Sequence, residues 1–297
     1  MSWNSLKKFK IFGSAVSIGQ PKRGVEKTPE FLKSIEIEKL IHPRNAFWVD
    51  ILKQQSYKYE EHRTSPIRNS KDLGVYNKKL YKSIVENASK EDFWMTIGGD
   101  HSIASTTISA LLNLYGKKLA VVWVDAHGDC NTPVTSPSGN YHGMPLSHVL
   151  DLFRNEDLDW GQPKLDLKSI AMLGNRDLDP EEKTLMDSIG LVYYPMEKIK
   201  KLGVKKSMDE IIEYLDPNKD KIIHLSMDVD GLDTSIMPGT GTLAPDGLTM
   251  EDYNVIVQKI RQAGDRFNSM DLVEINFDIE KEVTLKNVKE LLRLTFS

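Results

Sequence analysis

Leu119-Ala120-Val121-Val122-Trp123-Val124 runs directly into Asp125-Ala126-His127-Gly128-Asp129. The first half is continuously apolar rather than alternating. A strand of that kind is covered on both faces, as in a parallel sheet between helices. Similar short apolar runs recur at 9–13, 47–52, 93–97, 169–173, 191–195, 222–227 and 271–275, which gives eight strands. Between them apolar residues return at helical spacing. Examples are Ile103, Thr107, Ala110, Leu111 and Leu114, then Met208, Ile211, Ile212 and Leu215, then Val283, Val288, Leu291 and Leu292. Thr28-Pro29-Glu30 reads as an N-cap, a first-turn proline and an acidic first turn. Strands alternating with helices predict an α/β fold around a mainly parallel sheet. The polar stretch 54–71 reads as the irregular loop, and no linker divides the chain, so 1–297 is expected to form a single domain.

Bulk properties narrow the function. The net charge is −4, which gives no electrostatic footprint for nucleic acid or an anionic membrane. No apolar run reaches the length of a membrane span. Cys130 is the only cysteine, so no internal disulfide forms. That fits a reducing, cytoplasmic setting, and the first residues carry no secretory pattern.

In a sheet of this kind ligands gather beyond the carboxyl ends of the strands, and the chemistry-bearing residues fall there. Gly98-Gly99-Asp100-His101-Ser102 follows one apolar run. Its glycines allow a tight turn and close backbone approach, and His101 opens a helix. Asp125-Ala126-His127-Gly128-Asp129 follows another. Read as extended chain, Asp125, His127 and Asp129 face one way. A polar loop is the plainer reading, but two carboxylates beside a core strand repel unless a cation lies between them. Asp228-Val229-Asp230-Gly231-Leu232-Asp233 follows a third run, with Asp228 and Asp230 on one face. His101, Asp125, His127, Asp129, Asp228 and Asp230 thus offer four carboxylates and two imidazoles. That set suits two fairly hard divalent ions such as Mn²⁺, which can acidify a shared water.

These three motifs, in this order and strand context, resemble the arginase (ureohydrolase) family. The resemblance extends from Ser17-Ile18-Gly19-Gln20-Pro21 to Leu272-Val273-Glu274-Ile275-Asn276. It implies a three-layer αβα sandwich and two Mn²⁺ per subunit. Asp125 and Asp228 would bridge both ions, His101 and Asp129 would complete one site, and His127 and Asp230 the other. The implied reaction is hydrolysis of L-arginine to L-ornithine and urea, by attack of a metal-bridging hydroxide on the guanidinium carbon. The resemblance makes Asp129 the proton relay, His142 the catalytic histidine on a partly exposed loop, and Glu274, at the end of the last strand, the partner of the guanidinium.

The loop Asn131-Thr132-Pro133-Val134-Thr135-Ser136-Pro137-Ser138-Gly139-Asn140-Tyr141-His142-Gly143 resembles the segment that holds the amino-acid end of arginine. Asn131 and Ser138 would bind the α-carboxylate with help from Ser136. Asp179, with Glu182 behind it, would contact the α-amino group, and Thr242 would line the pocket. A relative acting on another guanidine such as agmatine is the alternative enzyme, but agmatine lacks a carboxylate, so the Asn131 and Ser138 loop would have no purpose. A non-catalytic arginine sensor is the alternative outside enzymes.

Three departures stand out. Thr234 and Phe277 replace family prolines. Glu251 and Asp252 stand where an inter-subunit arginine–glutamate pair is usual, so the expected homo-oligomer, a trimer or multiple of it, would rest on other contacts. His42, His62, His148 and His224 read as structural. The Cys130 side chain should point away from the ligands.

Overall fold

In the computed structural model, residues 7–43, 45–55 and 65–296 are described. Eight parallel strands form one sheet in the order β2-β1-β3-β8-β7-β4-β5-β6. They are β1 (Phe9–Ala15), β2 (Ala46–Lys53), β3 (Phe93–Gly98), β4 (Leu119–Val124), β5 (Ile170–Leu173), β6 (Tyr193–Tyr194), β7 (Ile222–Asp228) and β8 (Phe267–Val273). The helices are α1 (Thr28–Ser34), α2 (Glu38–Ile41), α3 (Ser70–Asn87), α4 (Ala104–Tyr115), α5 (Pro145–Val149), α6 (Pro180–Ile189), α7 (Met196–Leu202), α8 (Val204–Leu215), α9 (Met250–Arg261) and α10 (Glu282–Phe296).

The strand β4 shows how the layers are made. Ala120, Val122 and Val124 point into a core with Ile211 of α8 and Ile256 of α9. Leu119, Val121 and Trp123 point the other way, against Ile108 of α4 and Met186 of α6. Leu73 and Leu80 of α3 extend that second face toward Phe12 and Trp94. Both faces are dry, as continuous hydrophobicity predicts, and the result is a three-layer αβα sandwich. Among the described residues no helix is long and apolar enough to cross a membrane.

Several boundaries differ from the sequence reading. β8 begins at Phe267, because Asn268 and Ser269 are polar yet buried within it. It ends at Val273, so Glu274 follows the strand instead of closing it. β6 shrinks to two residues. Thr28 is not a cap: it is the first residue of α1, and its hydroxyl donates to the Ile275 carbonyl at 2.6 Å. Of the expected 54–71 loop, 70–71 belong to α3, and 56–64, with His62, lie outside the described residues. Val283 is 41% exposed, so the apolar stripe of α10 starts one turn later. Asp252 completes a capping box with Thr249 at the start of α9. The three other histidines set aside above do have partners. His42 accepts from the Asn45 amide, His148 contacts the Tyr141 hydroxyl, and His224 contacts Ser269.

Candidate metal centre and substrate cavity

The four central strands β3, β8, β7 and β4 all end at one place. Their carboxyl ends deliver His101, Glu274, Asp228 and Asp125. The approach of β3 to the chain after β1 is tight. A Cβ at Gly99 would collide with the Val16 carbonyl oxygen, which also accepts the Asp100 amide at 3.0 Å. His101 then enters a 3-10 turn leading into α4.

The side chains converge, though not by the route the sequence suggested. Only Asp228 lies in a strand. Asp125 to Asp129 form a loop, and Asp129 adopts a left-handed backbone with φ of 47°. Asp230 sits in a 3-10 turn, where its amide bonds Asp228 at 2.9 Å. Turns, not strand alternation, bring these ligands together.

His101 Nδ1 lies 3.1 Å from Asp125, 3.0 Å from Asp129 and 3.2 Å from Asp228. His127 Nδ1 lies 3.1 Å from Asp230 and 3.5 Å from Asp125. Two ligand groups result, one of His101, Asp125 and Asp228 and one of Asp125, His127 and Asp230, with the ligand atoms of each within 4.8 Å of one another. Asp125 belongs to both, whereas Asp228 belongs to the first alone.

The chemistry of this set fits cations. His101 Nδ1 and Asp129 Oδ2 are buried without an aligned hydrogen-bond partner among the described residues. The other His101 nitrogen, Nε2, is 2.9 Å from the Ser226 hydroxyl. With Nε2 donating there, the Nδ1 lone pair faces the carboxylates. Burial, reinforced by the charge of Asp125, pushes Asp129 up to about 6. Burial, with the charges of Asp230 and Asp125, raises Asp228 well above the usual carboxylate range. Four buried carboxylates of like charge need opposite charge among them, and divalent ions held by oxygen and imidazole supply it.

Above the ligands opens a cavity of about 280 Å³. All the site residues named from the sequence line it except Asp125, which lies fully buried beneath. Glu274, at φ of 63°, turns back over the ligands. Its carboxylate accepts the His101 amide at 2.9 Å and the Gln20 side-chain amide at 2.5 Å, and lies 3.3 Å from His142 Nδ1. Burial alone would raise Glu274, but the bond and charge of His142 hold it below its ordinary value. The same contact raises His142 against the opposing effect of its own burial.

His142 rests in a 3-10 turn whose amide bonds the Gly19 carbonyl at 3.2 Å, and its side chain is 23% exposed. In the same loop the Ser136 hydroxyl accepts the Gly139 amide and Ser138 accepts the Asn140 amide. Asn131 donates to Asp179 at 2.9 Å and keeps a buried Oδ1 with no hydrogen-bond partner among the described residues. Glu182 accepts the Cys130 amide at 2.9 Å, and burial pushes it up to about 8. Cys130 itself points into the core beside α4 and α6.

Some participants went unnamed in the sequence reading. Asp177 and Asn140 also line the cavity. Asp100 is buried beside Glu274 and pushed up to about 7, first by burial and then by the Glu274 charge. It accepts the Gly19 amide at 2.8 Å. Its place next to His101, two residues before Ser102, was the available signal. Gln20 lies in the segment that opens the family resemblance, but nothing in the sequence pairs it with Glu274, 254 positions away.

An αβα sandwich with paired cation-ligand groups at its central strand ends, under a polar cavity, is suited to metal-assisted hydrolysis. The chain belongs to the arginase family, whose family model matches residues 7–296. It is 36% identical to an arginase of Plasmodium berghei over 290 residues, covering 90% of this chain and 81% of that one. Arginase-1 of Rattus norvegicus is 34% identical, with 98% and 92% covered. Among solved structures, Entamoeba histolytica arginase in complex with L-ornithine superposes with a TM-score of 0.90 at 29% identity, covering 100% of both chains.

Proposed function

We propose that the protein hydrolyses L-arginine to L-ornithine and urea, with two Mn²⁺ per subunit held by His101, Asp125, His127, Asp129, Asp228 and Asp230. The observation that carries this reading is the pair of ligand groups sharing Asp125 beneath a cavity rimmed by Asn131, Ser138 and Asp179. Bound cations supply Lewis acidity and acidify a water for attack.

The protein's own groups do the rest. Glu274, ionised at neutral pH, orients the guanidinium through charge-assisted hydrogen bonds. Asp129 takes a proton from the attacking water and returns it to the departing amine. His142, raised by Glu274, shuttles a proton to the ornithine side. Asn131 and Ser138, with Ser136, receive the α-carboxylate. Asp179, with Glu182 behind it, meets the α-amino group, and Thr242 lines the wall. The whole chain acts as one catalytic domain, in a cytoplasmic homo-oligomer of trimeric type.

Purified protein loaded with Mn²⁺ is expected to release urea from L-arginine, and to lose this activity on chelation or with Asp129→Asn. No urea from the loaded protein would end the proposal. Agmatine, offered in parallel, should be a far poorer substrate. Equal turnover of agmatine would remove the role given to Asn131 and Ser138.

A further inference from the structure

We infer that Gln20 is a positioning residue that sets the guanidinium end of the substrate through Glu274; this rests on the reading of Glu274 given above. Gln20 lies outside the cavity lining and is 2% exposed, so it does not touch substrate. Its Nε2 donates to Glu274 Oε2 at 2.5 Å. The other oxygen, Oε1, is occupied by the His101 amide and faces His142. Each carboxylate oxygen is therefore held from a different side. Rotation of the carboxylate about its Cγ–Cδ bond would break contacts at both ends.

The amide of Gln20 is itself wedged in place. Its Oε1 packs on Gly241, where an added Cβ would come within 2.9 Å of it. Gly241 precedes Thr242 of the cavity wall. Lys22, two residues on, donates to the Gly241 carbonyl, which ties the two segments together. The Gln20 backbone N–H donates to the Ser17 carbonyl at 3.4 Å. The segment after β1 thus delivers one neutral donor to a buried carboxylate. A neutral donor orients the carboxylate without neutralising it, leaving its full charge for a cationic substrate group.

The test replaces Gln20 by Met, of similar length but without the donor. Gln20→Met is expected to lower kcat/KM for L-arginine by about 10- to 100-fold, the scale of a misplaced reacting group. Inhibition by L-ornithine, which lacks the guanidinium, should stay within about twofold, as should bound metal per subunit. In a Glu274→Gln background, where little turnover remains, adding Gln20→Met should leave L-arginine binding unchanged by calorimetry, because coupled residues fail to add. Unchanged kcat/KM, or ornithine inhibition and metal content falling in step with it, overturns the assignment. If Glu274→Gln alone keeps full turnover, the guanidinium reading fails instead, and that failure is visible without any Gln20 variant.

Discussion

The two halves of the ligand cluster are built differently. His101 is 1% exposed, packs on Trp123 with ring centroids 4.5 Å apart and planes tilted by 30°, and has its far nitrogen on Ser226. His127 is 21% exposed, and its far nitrogen, buried without a hydrogen-bond partner among the described residues, lies 3.7 Å from Asp177, whose side chain is 64% exposed. Both imidazoles line the cavity, but His101 is held against a dry wall, while His127 has a loose brace. Orientation of a ligand by a fixed second partner raises its affinity for a cation. The His101 half should therefore hold its ion more tightly, and the His127 half should exchange first. Asp125 joins them: its two oxygens face opposite histidines, and Trp123 donates to it at 2.9 Å.

The largest effect should come from that shared residue. Asp125→Asn removes charge from both halves at once. Activity should fall on the order of 10³-fold or more, the loss that follows removal of a preorganised electrostatic group. Metal analysis should find both ions depleted. Loss of only one ion would mean that the halves are not joined through Asp125.

Next in size is Ser226→Ala. It deletes the hydroxyl that orients His101 and leaves the ring packed on Trp123. Affinity for one of the two ions should drop about 10- to 100-fold in a chelator competition, while the other ion is retained. A uniform weakening of both would show that Ser226 supports the fold rather than one ligand.

The ligand set behind this contrast was legible in the sequence, and the reason is local. Each ligand directly follows an apolar run, so strand, turn and ligand are read together. Asp125 and Asp228 could be placed from Leu119–Val124 and the 222–227 run alone. The brace on each ligand was not legible. Ser226 alternates with Asp228 along β7, but its pairing with His101 depends on β7 and β3 meeting through β8. Long-range contacts of this kind, like Gln20 with Glu274, leave no periodicity. The turn at Asp129 also escaped, because a non-glycine residue at positive φ is set by tertiary contacts, against its own preference. Glu274 was placed at a strand end for the same reason.

A smaller effect concerns pH. In the metal-stripped protein Asp129 sits at about 6, Asp100 at about 7 and Glu182 at about 8, all raised chiefly by burial. Unfolding returns them to ordinary carboxylate values. Between pH about 4 and about 8 the folded chain then binds more protons, so stability falls as pH rises. His101 and His127, raised by their carboxylate neighbours against burial, act in the same direction above their ordinary value of 6.5. Asp125 and Glu274, held low, act below that window. A tenfold difference in proton affinity between folded and unfolded chain corresponds to about 1.4 kcal/mol before screening, so the stripped protein should lose several degrees of Tm from pH about 5 to about 8. Loading with Mn²⁺ should flatten the slope, leaving the part due to Asp100, Glu182 and His142, opposed below pH about 6.5 by His148, which burial lowers to about 3. A stripped protein that grows more stable over this range would contradict the buried-carboxylate picture.

The smallest effect should be at Asp177. It is the counterpart of Ser226 for the far nitrogen of His127, yet it lies 3.7 Å away on an exposed side chain. An ion pair of that length with one partner largely exposed contributes about 0–1 kcal/mol and is screened by salt. Asp177→Asn should therefore change the affinity for the weaker ion by no more than about twofold at physiological ionic strength. The comparison with Ser226→Ala is what gives this small number weight. Both substitutions remove a partner from the outer nitrogen of a ligand histidine, and they differ chiefly in burial and distance. If Asp177→Asn cost as much as Ser226→Ala, the His127 half would be as firmly oriented as the His101 half, and the expected order of metal release would have no structural basis.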